Sequence, residues 1–145
     1  SNSAATGCST DYPLFRLADI YLMAAEACLR GGAGLSRSEA LDLVNQVRLR
    51  AYRQDESGKI TDADLTLDFL LDERGRELYL ESVRRTDLIR YGKFTTPSFL
   101  WTYKGGTFTG QGFDDYMKIF AIPSSELASN PELHQNPGYG NATDK

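Results

Sequence analysis

The sequence predicts a mainly α-helical fold: antiparallel helical hairpins of the tetratricopeptide kind, then an irregular aromatic and glycine-rich loop and an extended C-terminal clasp. Three observations predict it. Two amphipathic stretches are joined by a short glycine linker. A long charged run follows, with a break in its periodicity. After Phe94 the helical period disappears into Gly, Thr, Pro and aromatic residues.

The first helix is expected within "YPLFRLADIYLMAAEACLRGG", where Leu17, Ile20, Tyr21, Ala24, Ala27 and Cys28 recur at helical spacing. Pro13 marks its front. Gly31 and Gly32 supply the stop, because glycine accepts the left-handed conformation that ends many helices. The second helix is expected in "SRSEALDLVNQVRLRAY", where Ser36 and Glu39 fit a capping box and Leu41, Val44, Val47 and Ala51 make an inward stripe. Ala24, Ala25 and Ala27 are small enough for this helix to approach closely, and the short linker makes the pair antiparallel.

"QDESGKITDAD" is a polar connector. Beyond it, "LTLDFLLDERGRELYLESVRRTDLIRYGKF" is too long and too charged for one helix. Leu67, Leu70, Leu71, Leu78 and Glu81 trace one face, and Leu88, Ile89 and Tyr91 resume after a corner near 82–86; Gly92 ends the second helix. From Phe94 to Gly112 an ordered loop is expected, with a small hairpin around Gly105 and Gly106. "YMKIFAIP" reads as a short extended segment stopped by Pro123, and "SSELA" as one helical turn. Residues 1–12 read as a flexible lead-in or an artificial start, and residues 13–145 as a single helical domain.

Composition excludes some functions. The chain has 145 residues, 41% hydrophobic and 25% charged, with a net charge of −4 and no basic stripe, so nucleic acid is a poor partner. Cys8 and Cys28 have no metal spacing, and His134 is the only histidine, so no metal site or cofactor is expected. Asn141-Ala142-Thr143 is a glycosylation sequon by pattern only.

Three constellations are candidates for function. Glu73 and Glu77, one turn apart, have the residue type of a glycosidase pair. Arginines, however, stand at most i+3 and i+4 neighbours (Asp72–Arg76, Arg74–Glu77, Glu81–Arg85, Asp87–Arg90), which is the spacing of ion pairs. A carboxylate held ionised by an arginine is a poor proton donor. The second constellation is the aromatic loop, in which Trp101 and Tyr103 are the candidates for stacking on sugar rings, against the alternative that the rings close the end of the helical layers. The third is the closing stretch around His134, rich in Asn, Gln and Pro, which suits a turn better than a ligand set.

Taken in order, four segments resemble the C-terminal part of the SusD/RagB family. "FRLADIYLMAAEA" (Phe15–Ala27), with Arg16, Asp19 and Glu26, resembles the family's Arg-x-Ala-Asp-x-Tyr-Leu-x-x-Ala-Glu-Ala helix. "ALDLVNQVRLRA" (Ala40–Ala51) carries Asn45 and Arg48 of its Ala-x-x-x-x-Asn-x-Val-Arg-x-Arg-Ala helix. "DERGRELYLESVRRTDLIRYGKF" (Asp72–Phe94) carries Glu73, Arg74, Glu77, Arg84, Asp87 and Arg90, with Ser82 where the family usually has glycine. "IFAIPSSELASNPELHQNPGY" (Ile119–Tyr139) carries Asn130, Gln135, Asn136 and Gly138 of the terminal signature.

The resemblance implies that these residues are structural. It implies a glycan-capturing outer-membrane lipoprotein of Bacteroidota, active in polysaccharide utilisation and not a hydrolase. Such a protein is lipidated through an upstream cysteine and delivers oligosaccharides or polysaccharides to a SusC-type TonB-dependent transporter. Most of the glycan site would then lie outside this chain. A free-standing tetratricopeptide-like adaptor for protein partners is the alternative reading.

Overall fold

The computed structural model describes residues 12–140; Cys8 and the sequon lie outside the described residues. The chain is mainly helical, with no strand among the described residues. It divides into two compact units, one ending at Arg84 and the other beginning at Arg85.

The first unit is built on α1 (Leu17–Leu29), α2 (Arg37–Ala51) and α3 (Leu67–Glu77). α1 ends at Gly31, whose φ of +89° is left-handed. α2 opens on the expected capping box: the Ser36 hydroxyl accepts from the Glu39 N–H at 3.2 Å, and the Glu39 carboxylate accepts from the Ser36 N–H at 2.7 Å. α1 and α2 pack side by side, as the glycine linker requires. Their contact is made by Ala18, Leu22 and Ala25 against Ala40, Val44 and Val47, with Leu65 and Leu70 closing the same core.

The faces expected from periodicity are met only in part: Val44 and Val47 turn inward as expected, and Tyr21 and Cys28 pack partly buried against the core. Leu17 and Ile20 on α1 and Ala51 on α2 are exposed, and Leu41 is only half-buried. α1 is apolar nearly all round, so its spacing does not select a face; of the alanines expected to permit close approach only Ala25 is buried, joined by Ala18, while Ala24 is half-buried and Ala27 exposed.

The connector to α3 holds two short 3-10 turns, Glu56–Gly58 and Asp62–Asp64. α3 starts at the Thr66 cap, whose hydroxyl accepts from the Phe69 N–H at 3.1 Å, and ends earlier than expected. The corner runs over 78–83, and α4 (Arg84–Arg90) opens at its far side. Leu80 and Ser82 both have left-handed backbone there, with φ of +64° and +62°. A serine at φ +62° explains why glycine suits this position.

In the second unit Leu88 and Phe94 are buried, and Gly92 (φ +67°) ends α4. An antiparallel bridge between Trp101 and Gln111 closes the hairpin around Gly105 and Gly106. The segment expected to be extended begins instead with a 3-10 turn, Asp115–Lys118, because Asp115 and Lys118 pair across it; the chain becomes extended only at Ile119. α5 (Ser124–Ser129) follows Pro123.

Candidate functional site

In the first unit the charged side chains join the helices. The Glu73 carboxylate on α3 accepts from Arg48 Nη1 on α2 at 2.8 Å and from Arg76 Nε and Nη2 at 2.9 and 2.7 Å. Arg48 also donates to the Gly58 carbonyl at 2.5 Å, and its guanidinium lies over the rings of Tyr52 and Phe69. Glu77 is held from two sides, by Arg16 Nη1 at 2.9 Å and Arg50 Nη2 at 2.5 Å. Arg16 continues to Glu81 at 2.9 Å, while the Tyr12 hydroxyl donates to the Glu81 carbonyl. The Glu81 hydrogen bond, ahead of Glu77, holds the Arg16 guanidinium above its ordinary pKa. Buried Arg74 reaches back to Asp19 on α1 at 2.7 Å.

Several of the expected intrahelical pairs are therefore replaced by longer-range ones. Glu77 and Glu81 go to Arg16, 61 and 65 residues away, and Asp72 lies 4.0 Å from Arg84. Arg84 also donates to the Leu71 carbonyl at 2.6 Å. Glu26 pairs with Arg30 at 2.8 Å. In the second unit Asp87 does pair with Arg90 at the expected spacing, at 2.9 Å. Glu73 and Glu77 are nearly buried, and each faces two guanidinium groups.

Two amide side chains do the same work in different places. Asn45 accepts from the Ile60 N–H at 2.8 Å and donates to the Ile60 carbonyl at 3.1 Å. Gln135 accepts from the Ile122 N–H at 2.8 Å and donates to its carbonyl at 2.9 Å. Each thus satisfies both backbone groups of one isoleucine in a segment with no ladder partner. Around Gln135, Asn136 Nδ2 donates to the Phe120 carbonyl at 2.8 Å, and the Tyr139 hydroxyl to the Ile119 carbonyl at 2.8 Å. Asn130 accepts from the Glu132 N–H at 3.1 Å. Gly138 has φ +89°, and a Cβ there would lie 2.2 Å from the Tyr116 ring, which itself stacks edge-on against Tyr139.

The aromatic loop separates into an inner and an outer set. Trp101 stands among Phe94, Phe99 and Phe113, with ring centroids at 5.6, 5.3 and 5.0 Å. Its indole N–H is buried and finds no hydrogen-bond partner among the described residues. Tyr103 is 72% exposed and meets Phe108, 73% exposed, edge to face at 5.3 Å. The two candidates named from sequence are thus not brought to one surface. The exposed companion of Tyr103 is Phe108.

His134 is exposed, and no group of three metal-binding side chains occurs among the described residues. The half-buried Cys28 thiol donates to the Leu35 carbonyl at 3.2 Å. No described helix is long and apolar enough to cross a membrane.

A family model described as SusD family matches residues 1–139. The chain belongs to the SusD family. It is 41% identical over 137 residues to the starch-binding protein SusD of Bacteroides thetaiotaomicron, covering 94% of this chain and 23% of that protein, at its C-terminal part. It is 35% identical to SusD-like protein P38 of Formosa agariphila, covering 90% of this chain and 25% of that protein. Among solved structures, surface glycan-binding protein A from Bacteroides thetaiotaomicron superposes with a TM-score of 0.69 at 31% identity, covering 87% of this chain and 24% of that one. The same protein in complex with laminarihexaose superposes with a TM-score of 0.65 at 30% identity, covering 86% of this chain and 24% of that one. The chain therefore spans about a quarter of the length of these relatives.

Two features of this SusD-family chain escaped the sequence reading. Phe108 belongs to the aromatic loop read from sequence but was not singled out within it, because a run of Gly and Thr has no period to say which rings face out. The corner at Leu78–Arg84 carries a cleft of about 660 Å³ beside exposed Tyr79 and Leu80. The only local sign of it was the apolar "LYL" immediately after Glu77.

Proposed function

We propose that this chain is the helical C-terminal scaffold of a cell-surface glycan-capture protein, a binding protein without chemistry of its own. The whole protein takes up oligosaccharides or polysaccharides and delivers them to a SusC-type TonB-dependent transporter. It is held at the outer membrane by lipid on a cysteine upstream of this sequence. The names of the relatives, a starch-binding protein and a surface glycan-binding protein seen with laminarihexaose, support glycan as the ligand class.

The observation that carries the scaffold reading is the place of Glu73 and Glu77. They are the best acid–base pair the sequence offers, and both are spent on arginines that join α1, α2 and α3. Arg16, Asp19, Glu26, Asn45, Arg48, Arg74, Arg84, Asp87 and Arg90 are likewise read as structural, some joining helices and some pairing within one, and Asn130, Gln135, Asn136 and Gly138 as parts of the clasp. Of the two candidates named from sequence, Tyr103 is the one exposed for glycan contact, with Trp101 as the support beneath the loop.

The test is made on the full-length protein, with starch and laminarin as probes. Affinity electrophoresis should show retardation by at least one glucan, incubation should release no reducing sugar, and purification from membranes should bring a TonB-dependent transporter along. Glycan cleavage abolished by Glu73→Gln would overturn the non-enzymatic reading. Absence of both glycan retardation and transporter would overturn the capture reading.

A further inference from the structure

We propose that the Tyr103–Phe108 pair at the hairpin tip is a glycan contact; this rests on the glycan-capture reading above. The hairpin from Phe99 to Phe113 divides its rings by role. Phe94, Phe99 and Phe113 pack around Trp101 and hold the base, while Tyr103 and Phe108 stand at the tip with roughly three-quarters of their surface in water. Exposed aromatic pairs are costly to leave in solvent.

The backbone makes the same point. Tyr103 has φ +65° and ψ 3°, a left-handed conformation that favours glycine, and Gly105 and Gly106, two and three residues on, are left-handed as well. A chain choosing residues for the turn alone would place glycine or asparagine at 103. The tip is also held firmly. Trp101 and Gln111 exchange backbone hydrogen bonds at 3.1 and 3.4 Å, and Gly110 sits so close that a Cβ would lie 2.2 Å from the Trp101 carbonyl oxygen. Tyr103 and Phe108 are therefore presented in a fixed edge-to-face arrangement.

The chemistry around the tip selects the ligand. Between Phe99 and Phe113 there is one charged residue, Lys104, and no carboxylate; the remaining polar groups are Thr102, Thr107, Thr109 and Gln111. A flat ring face with neutral hydroxyl and amide groups beside it suits a sugar ring, which is apolar on its C–H face and hydroxylated at its rim. It suits a charged protein partner poorly. A contact at a hairpin tip engages one or two sugar units, so it acts through avidity on long chains more than on short ones.

The experiment compares full-length protein with Tyr103→Ala/Phe108→Ala and Tyr103→Gly, using starch and laminarin against laminarihexaose, with thermal unfolding recorded in parallel. The double variant should bind the polysaccharide about tenfold more weakly, the size expected for losing stacked aromatic contacts. Its affinity for the hexasaccharide should change much less. Tyr103→Gly removes the ring while relieving the left-handed backbone, so its melting temperature should hold as affinity falls. Polysaccharide affinity within twofold of the parent in both variants overturns the proposal while leaving the capture reading intact. So does unchanged glycan binding with loss of the co-purifying transporter, which would make the pair a protein contact. A parent protein that binds none of the three glycans overturns the capture reading and this proposal with it.

Discussion

Replacing Glu73 with glutamine keeps the side chain's size and removes its charge, so it tests what the buried carboxylate does. Glu73 is 4% exposed and takes three N–H groups on one oxygen. The two arms differ. The Arg76 side chain is about half exposed, so its arm is screened by water and contributes less than about 1 kcal/mol. The Arg48 side chain is only 12% exposed, and breaking a buried pair by removing one partner costs about 3–5 kcal/mol in general.

Here Arg48 retains its bond to the Gly58 carbonyl and its two aromatic neighbours, and the glutamine oxygen can still accept one N–H. The cost should therefore fall near the lower end, about 2–3 kcal/mol, or about 4–12 °C in melting temperature. Urea unfolding followed by far-UV circular dichroism reads it directly. Arg48→Met added to Glu73→Gln removes the stranded charge and should recover at least about 1 kcal/mol. A Glu73→Gln cost below about 0.5 kcal/mol, with no coupling to Arg48, would refute the argument that this carboxylate joins α2 to α3.

Other outcomes follow from the same structure. Leu22→Ala empties a fully buried site between α1 and α2 and should cost about 3 kcal/mol in urea unfolding. Ser82→Gly should stabilise by about 0.5–1 kcal/mol, because glycine adopts φ +62° without the strain serine bears; a loss of stability would contradict the corner geometry. Gln135→Leu strands both backbone groups of Ile122, so amide exchange at Ile122 should accelerate by more than about tenfold while exchange in α1 and α2 stays unchanged.

Acid should destabilise the chain through its caps. Glu39 is held below the usual carboxylate range by the Ser36 N–H, Asp55 by the Ser57 N–H, Asp64 by the Thr61 hydroxyl, and Asp115 by Lys118 and then Thr95. A lowered folded-state pKa gives stability that is complete above the unfolded value, about 4, and is lost as pH falls through the lowered one. Glu39→Gln should therefore flatten the fall of melting temperature below about pH 4.5, and an unchanged slope would remove Glu39 from the explanation.

What the sequence made legible was whatever depends on near neighbours. Ser36 and Glu39 define their cap within four residues, and Gly31 and Gly92 end their helices by backbone preference alone. The inward face of α1 was not legible. Leu17, Ile20 and Met23 are as apolar as Leu22, and the choice between them is made by Ala40 and Val44 on another helix. The same holds for the charges: i+4 spacing finds Arg30 for Glu26 but cannot find Arg16 for Glu77. Asn45 and Gln135 belonged to quoted segments, yet their shared use, one amide to one isoleucine backbone, depends on chain crossings 15 and 13 residues away. Trp101 and Phe108 exchanged roles for a related reason, since a Gly- and Thr-rich loop carries no period from which to read its inner face.

The central claim, a scaffold within a lipidated surface capture protein, is tested most directly by the size and lipidation of the native product. Cells of the source organism are grown with a labelled fatty acid and probed with an antibody raised to this sequence. The account predicts a labelled membrane band about four times the 16.1 kDa of this chain, in keeping with relatives of which the chain spans about a quarter. A soluble, unlabelled band near 16.1 kDa would contradict it and leave a small helical adaptor as the better account.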